Sequence, residues 1–178
     1  MTMTKDATMP KEGVVRFERI LNAPVERVWD YVVNDELRKT WLGNGTVDLV
    51  LGGHVHLDYD QATLSSEPVP EGSEFDPHVE DGTIVELDPP HLIAYTWGEW
   101  FGQNCVVSFE LTPEGDGTKL VLEHRKIASM RLTYDVATGW HGHLDLLEDR
   151  INGTERPFRT HFDSVTAKYD KLYAEQSA

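Results

Sequence analysis

The sequence predicts an α+β fold in which a curved, seven-stranded antiparallel sheet surrounds one long helix, with an additional helix at the carboxyl end. The long helix is predicted from an apolar stripe with helical spacing near that end. The stripe consists of Val136, Trp140, Leu144, Leu147 and Ile151. Short apolar segments separated by turn residues precede it, which is typical of an antiparallel meander. A sheet of this size curls, so the long helix can fill its concave side.

Length, charge and cysteine content limit the possible functions. The chain has 178 residues, which is typical of one domain, and a net charge of −15, which disfavours nucleic acid and anionic membranes as partners. The single cysteine, Cys105, excludes an intrachain disulfide and is compatible with a cytoplasmic protein. We see neither a signal peptide nor an apolar run long enough to span a membrane, so we expect no membrane partner.

The amino-terminal part predicts a disordered tail over residues 1–12, then one strand and two short helices. Residues 14–21 are apolar at both ends with charged residues between them, as expected of a strand. Pro24 favours the first position of a helix, because its missing N–H has no helical partner there. A second short helix is expected to start at Asn34 or Asp35, and the Gly-Asn-Gly run at residues 43–45 ends it.

The middle of the chain predicts six strands. The first two, at residues 46–51 and 54–60, are joined by Gly52-Gly53, a dipeptide typical of two-residue hairpins. Residues 61–81 form an acidic, proline-bearing segment that we expect to be a mobile loop at the rim of a pocket, with Phe75 as its aromatic residue. The other four strands are expected at residues 82–87, 91–97, 104–111 and 118–127.

Two helices are expected near the carboxyl end. The long one covers about residues 134–151, and its charged side, which includes Asp145 and Asp149, should face solvent. Gly139 and Gly142 each cost on the order of 1 kcal/mol against alanine, which indicates a close backbone approach. The last helix, residues 157–175, has an apolar stripe of Phe158, Phe162, Val165, Tyr169 and Leu172. Since the concave side is already filled, this stripe either packs on the outside of the domain as an intramolecular brace or pairs with another protomer. We expect it at or beside a homodimer interface.

Several short motifs stand in one order along the chain. They are the runs at residues 23–29 and 82–90, Gly52-Gly53, Phe-Glu-Leu-Thr-Pro at residues 109–113, and Gly139-Trp140. Together they resemble the START-like SRPBCC superfamily with its helix-grip (Bet v-like) fold. Within it, the chain resembles the branch named for the activator of heat-shock-protein ATPase, which is related to polyketide cyclases. The resemblance implies a START-like domain at residues 13–151 and a hydrophobic pocket between sheet and long helix. The last helix lies beyond the part that the family fold requires, so we expect residues 152–178 to form a helical extension.

Strand alternation and the helical stripe predict which side chains face that pocket. His124 continues the apolar face of Leu120 and Leu122, so we expect it to anchor a ligand carbonyl or hydroxyl. The alternative is a core histidine bonded to Tyr95, His143 or Arg19. The candidate ligand-binding residues are Trp41, Tyr95, Trp97, Phe109, Leu122, His124, Trp140, His143 and Leu144. For the aromatic members, plain core packing is the competing interpretation.

Other chemistries find weaker support in the sequence. His54 and His56 share a strand face, but a zinc site needs at least three protein ligands, so we expect no metal and no cofactor. Cys105 or Ser108 beside a histidine could act as a nucleophile, yet no nucleophile-elbow signature is present. Catalytic residues therefore remain unassigned.

Three functions are compatible with this pattern. The leading hypothesis is binding of a small hydrophobic molecule, lipid-, polyketide- or aromatic-like, without catalytic machinery. The second is a cyclase- or hydrolase-like enzyme that uses His124 in the same cavity. The third is a co-chaperone-like interaction protein, whose acidic surface would meet a basic face of a chaperone partner.

Overall fold

The computed structural model describes residues 5–68 and 78–177. In chain order the elements are β1 Val14–Leu21, α1 Val25–Val33, α2 Asp35–Arg38, β2 Asn44–Val47, β3 His54–Tyr59, β4 His78–Asp88, β5 Leu92–Thr96, β6 Val106–Glu114, β7 Gly117–Arg125, α3 Met130–Asn152 and α4 Phe158–Gln176. Short 3-10 helices lie at Gln61–Leu64 and Glu99–Phe101. In the part of the chain that is described, no helix is both long enough and apolar enough to cross a membrane.

The strands form one antiparallel sheet with the order β1-β7-β6-β5-β4-β3-β2. The α+β class, the seven-stranded sheet and the long helix are thus confirmed. Strand alternation holds in β7, where Leu120, Leu122 and His124 are each 0% exposed. The predicted stripe of α3 packs into the same core, with Trp140 4% and Leu144 0% exposed. Burial of these two faces against each other stabilises the fold through the hydrophobic effect.

The β2–β3 connection differs from the predicted two-residue hairpin. β2 ends at Val47, and residues 48–53 form the turn, with Leu51 70% exposed at its tip. The physical reason is a long-range pairing, because Gly52 N–H donates to the carbonyl of Ile84 while Ile84 N–H donates to the carbonyl of Gly53, both at 2.9 Å. Gly52 and Gly53 therefore form backbone hydrogen bonds with β4 instead of closing a two-residue turn between β2 and β3.

The predicted loop over residues 61–81 is shorter than expected. A 3-10 helix occupies its first four residues, and β4 begins at His78, which pairs with Tyr59 of β3. Residues 69–77, including Phe75, lie outside the described residues. Mobility of this segment stays a prediction.

The amino-terminal segment packs against the domain where the structure describes it. The N–H of Thr8 donates to the carbonyl of Arg16 at 2.8 Å, and the N–H of Ala7 donates to the hydroxyl of Tyr169 at 3.0 Å. Backbone groups of Ala7 and Thr8 thus find partners on α4 and β1, and disorder of the tail over residues 1–12 stays a prediction. Residues 1–4 lie outside the described residues.

Helix α4 packs along the side of α3 that we expected to face solvent. Phe158, Val165 and Tyr169 are buried there, at 2%, 4% and 1% exposure. Asp145 and Asp149 of α3 are buried in consequence, at 4% and 8% exposure, which corrects the prediction of a solvated charged face. Three members of the α4 stripe therefore have an intramolecular partner, whereas Leu172 is 40% exposed. A homodimer stays a prediction.

Candidate ligand-binding site

A cavity of about 200 Å³ lies between α3, α4 and the concave face of the sheet. We call it the α3 cavity. Its walls are mostly apolar or aromatic and come from Leu42, Tyr59, His78, Trp97, Phe101, His124, Asp135, Val136, Gly139, Trp140, His143 and Phe162.

The two glycines of α3, Gly139 and Gly142, differ in the space beside them. A side chain on Gly142 would meet the Phe162 ring at 2.6 Å, whereas one on Gly139 would meet nothing within 4 Å.

His124 lies in the cavity wall and is neutral. The indole N–H of Trp140 donates to Nδ1 of His124 at 3.1 Å, and an indole nitrogen can only donate. Nδ1 therefore carries no proton, and the neutral ring holds its proton on Nε2. Burial lowers the pKa of His124 to about 3. The Nε2–H group is buried and has no hydrogen-bond partner among the described residues.

His143 has the opposite tautomer. Its Nδ1 lies 2.7 Å from the backbone carbonyl of Trp41, and because a carbonyl only accepts, Nδ1 carries the proton. Burial lowers the pKa of His143 to about 4, against the opposing effect of that hydrogen bond. Nε2 consequently presents a lone pair. Among the described residues nothing donates to it.

Aromatic rings connect the two histidines around the cavity. The Trp97 ring centroid lies 5.5 Å from that of His124, 5.3 Å from that of Trp140 and 5.9 Å from that of Tyr59. Tyr59 in turn stands edge-on to His143, with the centroids 6.3 Å apart. The Tyr59 hydroxyl is buried and has no partner within the described part of the chain. Burial raises the pKa of Tyr59 well above its usual value, so the hydroxyl keeps its proton.

The sequence-predicted site residues separate into two groups. Trp97, His124, Trp140 and His143 line the α3 cavity. The other five lie in the surrounding core and not in its wall: Trp41, Tyr95, Phe109, Leu122 and Leu144. Trp41 nonetheless positions the site, because its indole N–H donates to the Tyr31 carbonyl at 2.9 Å and its own carbonyl accepts from His143.

Sequence reasoning missed several wall residues. Tyr59 had a usable signal, since it alternates with Val55 and Leu57 on the apolar face of β3. Phe162 had no such signal, because no local sequence pattern indicates that α4 packs against α3. At the rim, His78 stacks on Tyr59 with the ring centroids 4.9 Å apart.

Nucleophile and metal chemistry find little support in the geometry. Cys105 is buried, its thiol donates to the Lys126 carbonyl at 3.2 Å, and burial raises its pKa. On the outer sheet face, His54 and His56 both contact Asp81, at 3.1 and 2.8 Å. In the described ranges, no group of three or more histidine, cysteine or acidic side chains is arranged to hold a metal ion.

Solved structures similar to this chain share the fold. The protein encoded by gene BPP1335 from Bordetella parapertussis is 32% identical, with 96% of this chain and 94% of that chain covered and a TM-score of 0.78. CalU16 from Micromonospora echinospora is 22% identical, with 96% and 93% covered and a TM-score of 0.68. DynU16, described as a protein in the dynemicin biosynthetic locus, is 18% identical, with 83% and 50% covered and a TM-score of 0.63.

Among curated protein sequences, none matches this chain significantly. The family model described as "Activator of Hsp90 ATPase homolog 1-like protein" matches residues 22–152. That match runs from the start of α1 to the end of α3 and so includes most of the cavity wall. The expected resemblance is therefore confirmed, and the chain belongs to the activator of Hsp90 ATPase homolog 1-like family.

Proposed function

We propose that this protein binds a small, mainly apolar molecule in the α3 cavity and holds it through a carbonyl or similar oxygen. The observation that carries the proposal is the buried Nε2–H of His124, which has no partner among the described residues. A buried donor without a partner costs about 1–3 kcal/mol. An oxygen-bearing ligand would supply the missing acceptor while its apolar part contacts the aromatic wall.

The size of the cavity limits the ligand. Drug-sized sites usually have about 300–1,000 Å³, and the α3 cavity has about 200 Å³. An engineered apolar cavity of about 150 Å³ binds benzene, so the α3 cavity suits a molecule with one substituted ring. A larger lipid or polyketide would need α4 or the rim to move.

The protonation of the site favours binding over catalysis. A general base works best when its pKa is near the operating pH. The pKa of His124 is about 3 and that of His143 about 4, because both rings are buried, so neither takes up a proton readily near neutrality. The buried Cys105 thiol has a raised pKa and already donates to a backbone carbonyl.

The binding proposal is tested with a matched pair of probes. Acetophenone carries a carbonyl, and ethylbenzene has nearly the same shape without one. We expect calorimetry on the wild-type protein to show that acetophenone binds about tenfold more tightly, as one hydrogen bond to a buried donor predicts.

The variants give the control. His124→Leu should remove this preference, and His124→Gln, which keeps an N–H donor, should retain part of it. Because the preference is a ratio within each protein, it is insensitive to a change in cavity volume. Equal affinity of the wild type for both probes, or binding of neither, would refute the proposal.

The family description also names activation of the Hsp90 ATPase. A chaperone partner stays a prediction for this chain. An assay of Hsp90 ATP hydrolysis with and without the purified protein tests it directly.

A further inference from the structure

We infer that the α3 cavity selects a neutral ligand that carries a hydrogen-bond donor as well as an acceptor, such as a small hydroxylated aryl ketone. The inference rests on the proposed function of this cavity. It adds a second anchor, His143, and a chemical class for the ligand.

The first step is the asymmetry of the two histidines. Nδ1 of His124 accepts a hydrogen bond from the Trp140 indole N–H, so His124 offers Nε2–H as a donor. Nδ1–H of His143 donates a hydrogen bond to the Trp41 carbonyl, so His143 offers Nε2 as an acceptor. Both partners belong to the protein core, where Trp41 is 0% and Trp140 4% exposed, so neither tautomer can invert without breaking a buried hydrogen bond. The cavity wall therefore contains one histidine with an unused N–H donor and one with an unused acceptor nitrogen.

The second step concerns the group that would meet His143. Tyr59 stands beside it, and the Tyr59 hydroxyl has no partner among the described residues. Tyr59 and His143 do not bond to each other in this structure, since the buried Tyr59 hydroxyl has no hydrogen-bond partner among the described residues. A ligand hydroxyl between them could accept from Tyr59 and donate to His143 Nε2 at the same time. One group would thus satisfy two buried polar atoms.

The third step concerns charge. Within the described residues, the cavity wall contains no lysine or arginine, so nothing there would compensate a buried ligand anion. The lone pair of His143 would also repel a carboxylate. A ligand cation would meet one acidic side chain, Asp135, which is partly exposed. A neutral molecule with a carbonyl at one end and a hydroxyl at the other matches these groups best.

The test extends the probe series on the full chain. The ortho, meta and para isomers of hydroxyacetophenone are compared with acetophenone and with the matching fluoroacetophenones, which are of similar size but lack a donor. In the wild type we expect one hydroxy isomer to bind about five- to tenfold more tightly than acetophenone, and no fluoro isomer to do so. In His143→Phe that gain should vanish, while the preference for acetophenone over ethylbenzene remains.

A second measurement does not depend on any variant. NMR of the histidine ring nitrogens in the wild type should show His124 protonated at Nε2 and His143 at Nδ1, and the bound hydroxyacetophenone should shift Nε2 of both. Failure of acetophenone to bind would overturn the proposed function itself. Binding of acetophenone without a gain for any hydroxy isomer, or His143 protonated at Nε2, would overturn only the present inference.

Discussion

At the scale of single residues, the group that contacts Nδ1 determines the tautomer of His124 and of His143. An indole N–H faces one ring and a backbone carbonyl faces the other, so two identical side chains become a donor and an acceptor. Their burial also has a thermodynamic consequence. A histidine that stays neutral in the folded protein but takes up a proton when unfolded makes stability depend on pH.

We expect the protein to lose stability progressively in mild acid. The unfolded chain binds a proton at each histidine near pH 6.5, whereas the folded pKa values are about 3 for His124 and about 4 for His143. Stability is therefore complete above pH 6.5 and falls as the pH decreases towards those values, by about 1.4 kcal/mol per pH unit for each histidine. Urea unfolding at a series of pH values measures the slope. His124→Gln should have a shallower slope, and parallel curves for the two proteins would contradict this account.

Trp140 combines core packing with the bond that sets the His124 tautomer. It is 4% exposed, so Trp140→Ala should lower the free energy of unfolding by about 3–5 kcal/mol. Trp140→Phe should cost less but should release the His124 tautomer, which ring-nitrogen NMR detects. A loss well below about 1 kcal/mol for Trp140→Ala in denaturant unfolding would show that its buried position is wrong.

At the scale of elements, the contact between α3 and α4 explains one of the two helical glycines. The Phe162 ring occupies the space where a Gly142 side chain would lie, and nothing occupies the corresponding space at Gly139. The same chemical change at two positions three residues apart should therefore have opposite effects.

We expect Gly139→Ala to stabilise the protein by about 1 kcal/mol, the difference in helix propensity. Gly142→Ala should instead destabilise it by about 1–2 kcal/mol, because overpacking against Phe162 outweighs the same gain. Thermal unfolding of the two variants beside the wild type measures both. A stabilised Gly142→Ala would mean that α4 does not pack as described.

The buried carboxylate of Asp145 on α3 contacts Arg19 of β1, Arg156 in the α3–α4 connection and His161 of α4. The carboxylate lies 2.9 Å from His161 Nε2, 3.3 Å from an Arg156 nitrogen and 3.5 Å from Arg19 Nη2. Burial acts to raise the pKa of this carboxyl, but the hydrogen bond from His141 and the charges of Arg19 and Arg156 outweigh it and lower the pKa to about 2. These partners therefore stabilise the ionised carboxylate of Asp145 in the folded state.

The sign of the effect follows from this shift. The stabilisation by Asp145 is present above its ordinary pKa of 3.8 and is lost as the pH falls from there to about 2. We expect the difference in unfolding free energy between the wild type and Asp145→Asn to shrink by about 2 kcal/mol over that interval. The exposed Asp163→Asn serves as the control. A pH-independent difference would rule out the ion-pair cluster as its cause.

At the scale of the whole molecule, the oligomeric state stays a prediction. Phe158, Val165 and Tyr169 of α4 are buried within the molecule, so they are not free to contact a second copy. We therefore expect Phe162→Asp to lower the melting temperature and not to change the sedimentation coefficient of the folded protein. A clear change in mass with retained stability, seen by sedimentation velocity, would instead place Phe162 at an interface between copies.

Much of this architecture could be predicted from local patterns. Alternation in β7 and the period of α3 predicted that His124 and Trp140 share the core, because side-chain direction follows directly from strand and helix geometry. The same reasoning predicted that Trp97 and His143 face the pocket. It could not separate cavity wall from solid core, since Tyr95 and Phe109 have the same inward pattern as Trp97 but lie one layer away from the cavity.

The sequence by itself determined the fold class, the order of the elements and the inward faces, because periodicity and turn residues act over a few positions. Tertiary structure alone decided where β2 ends, which buried carboxylates α4 covers and which nitrogen of each histidine carries the proton. Each of these depends on a partner far away in the chain, such as Ile84 for Gly52, His161 for Asp145 and Trp41 for His143. No local pattern encodes such a partner, because only the folded chain brings the two groups within hydrogen-bond distance.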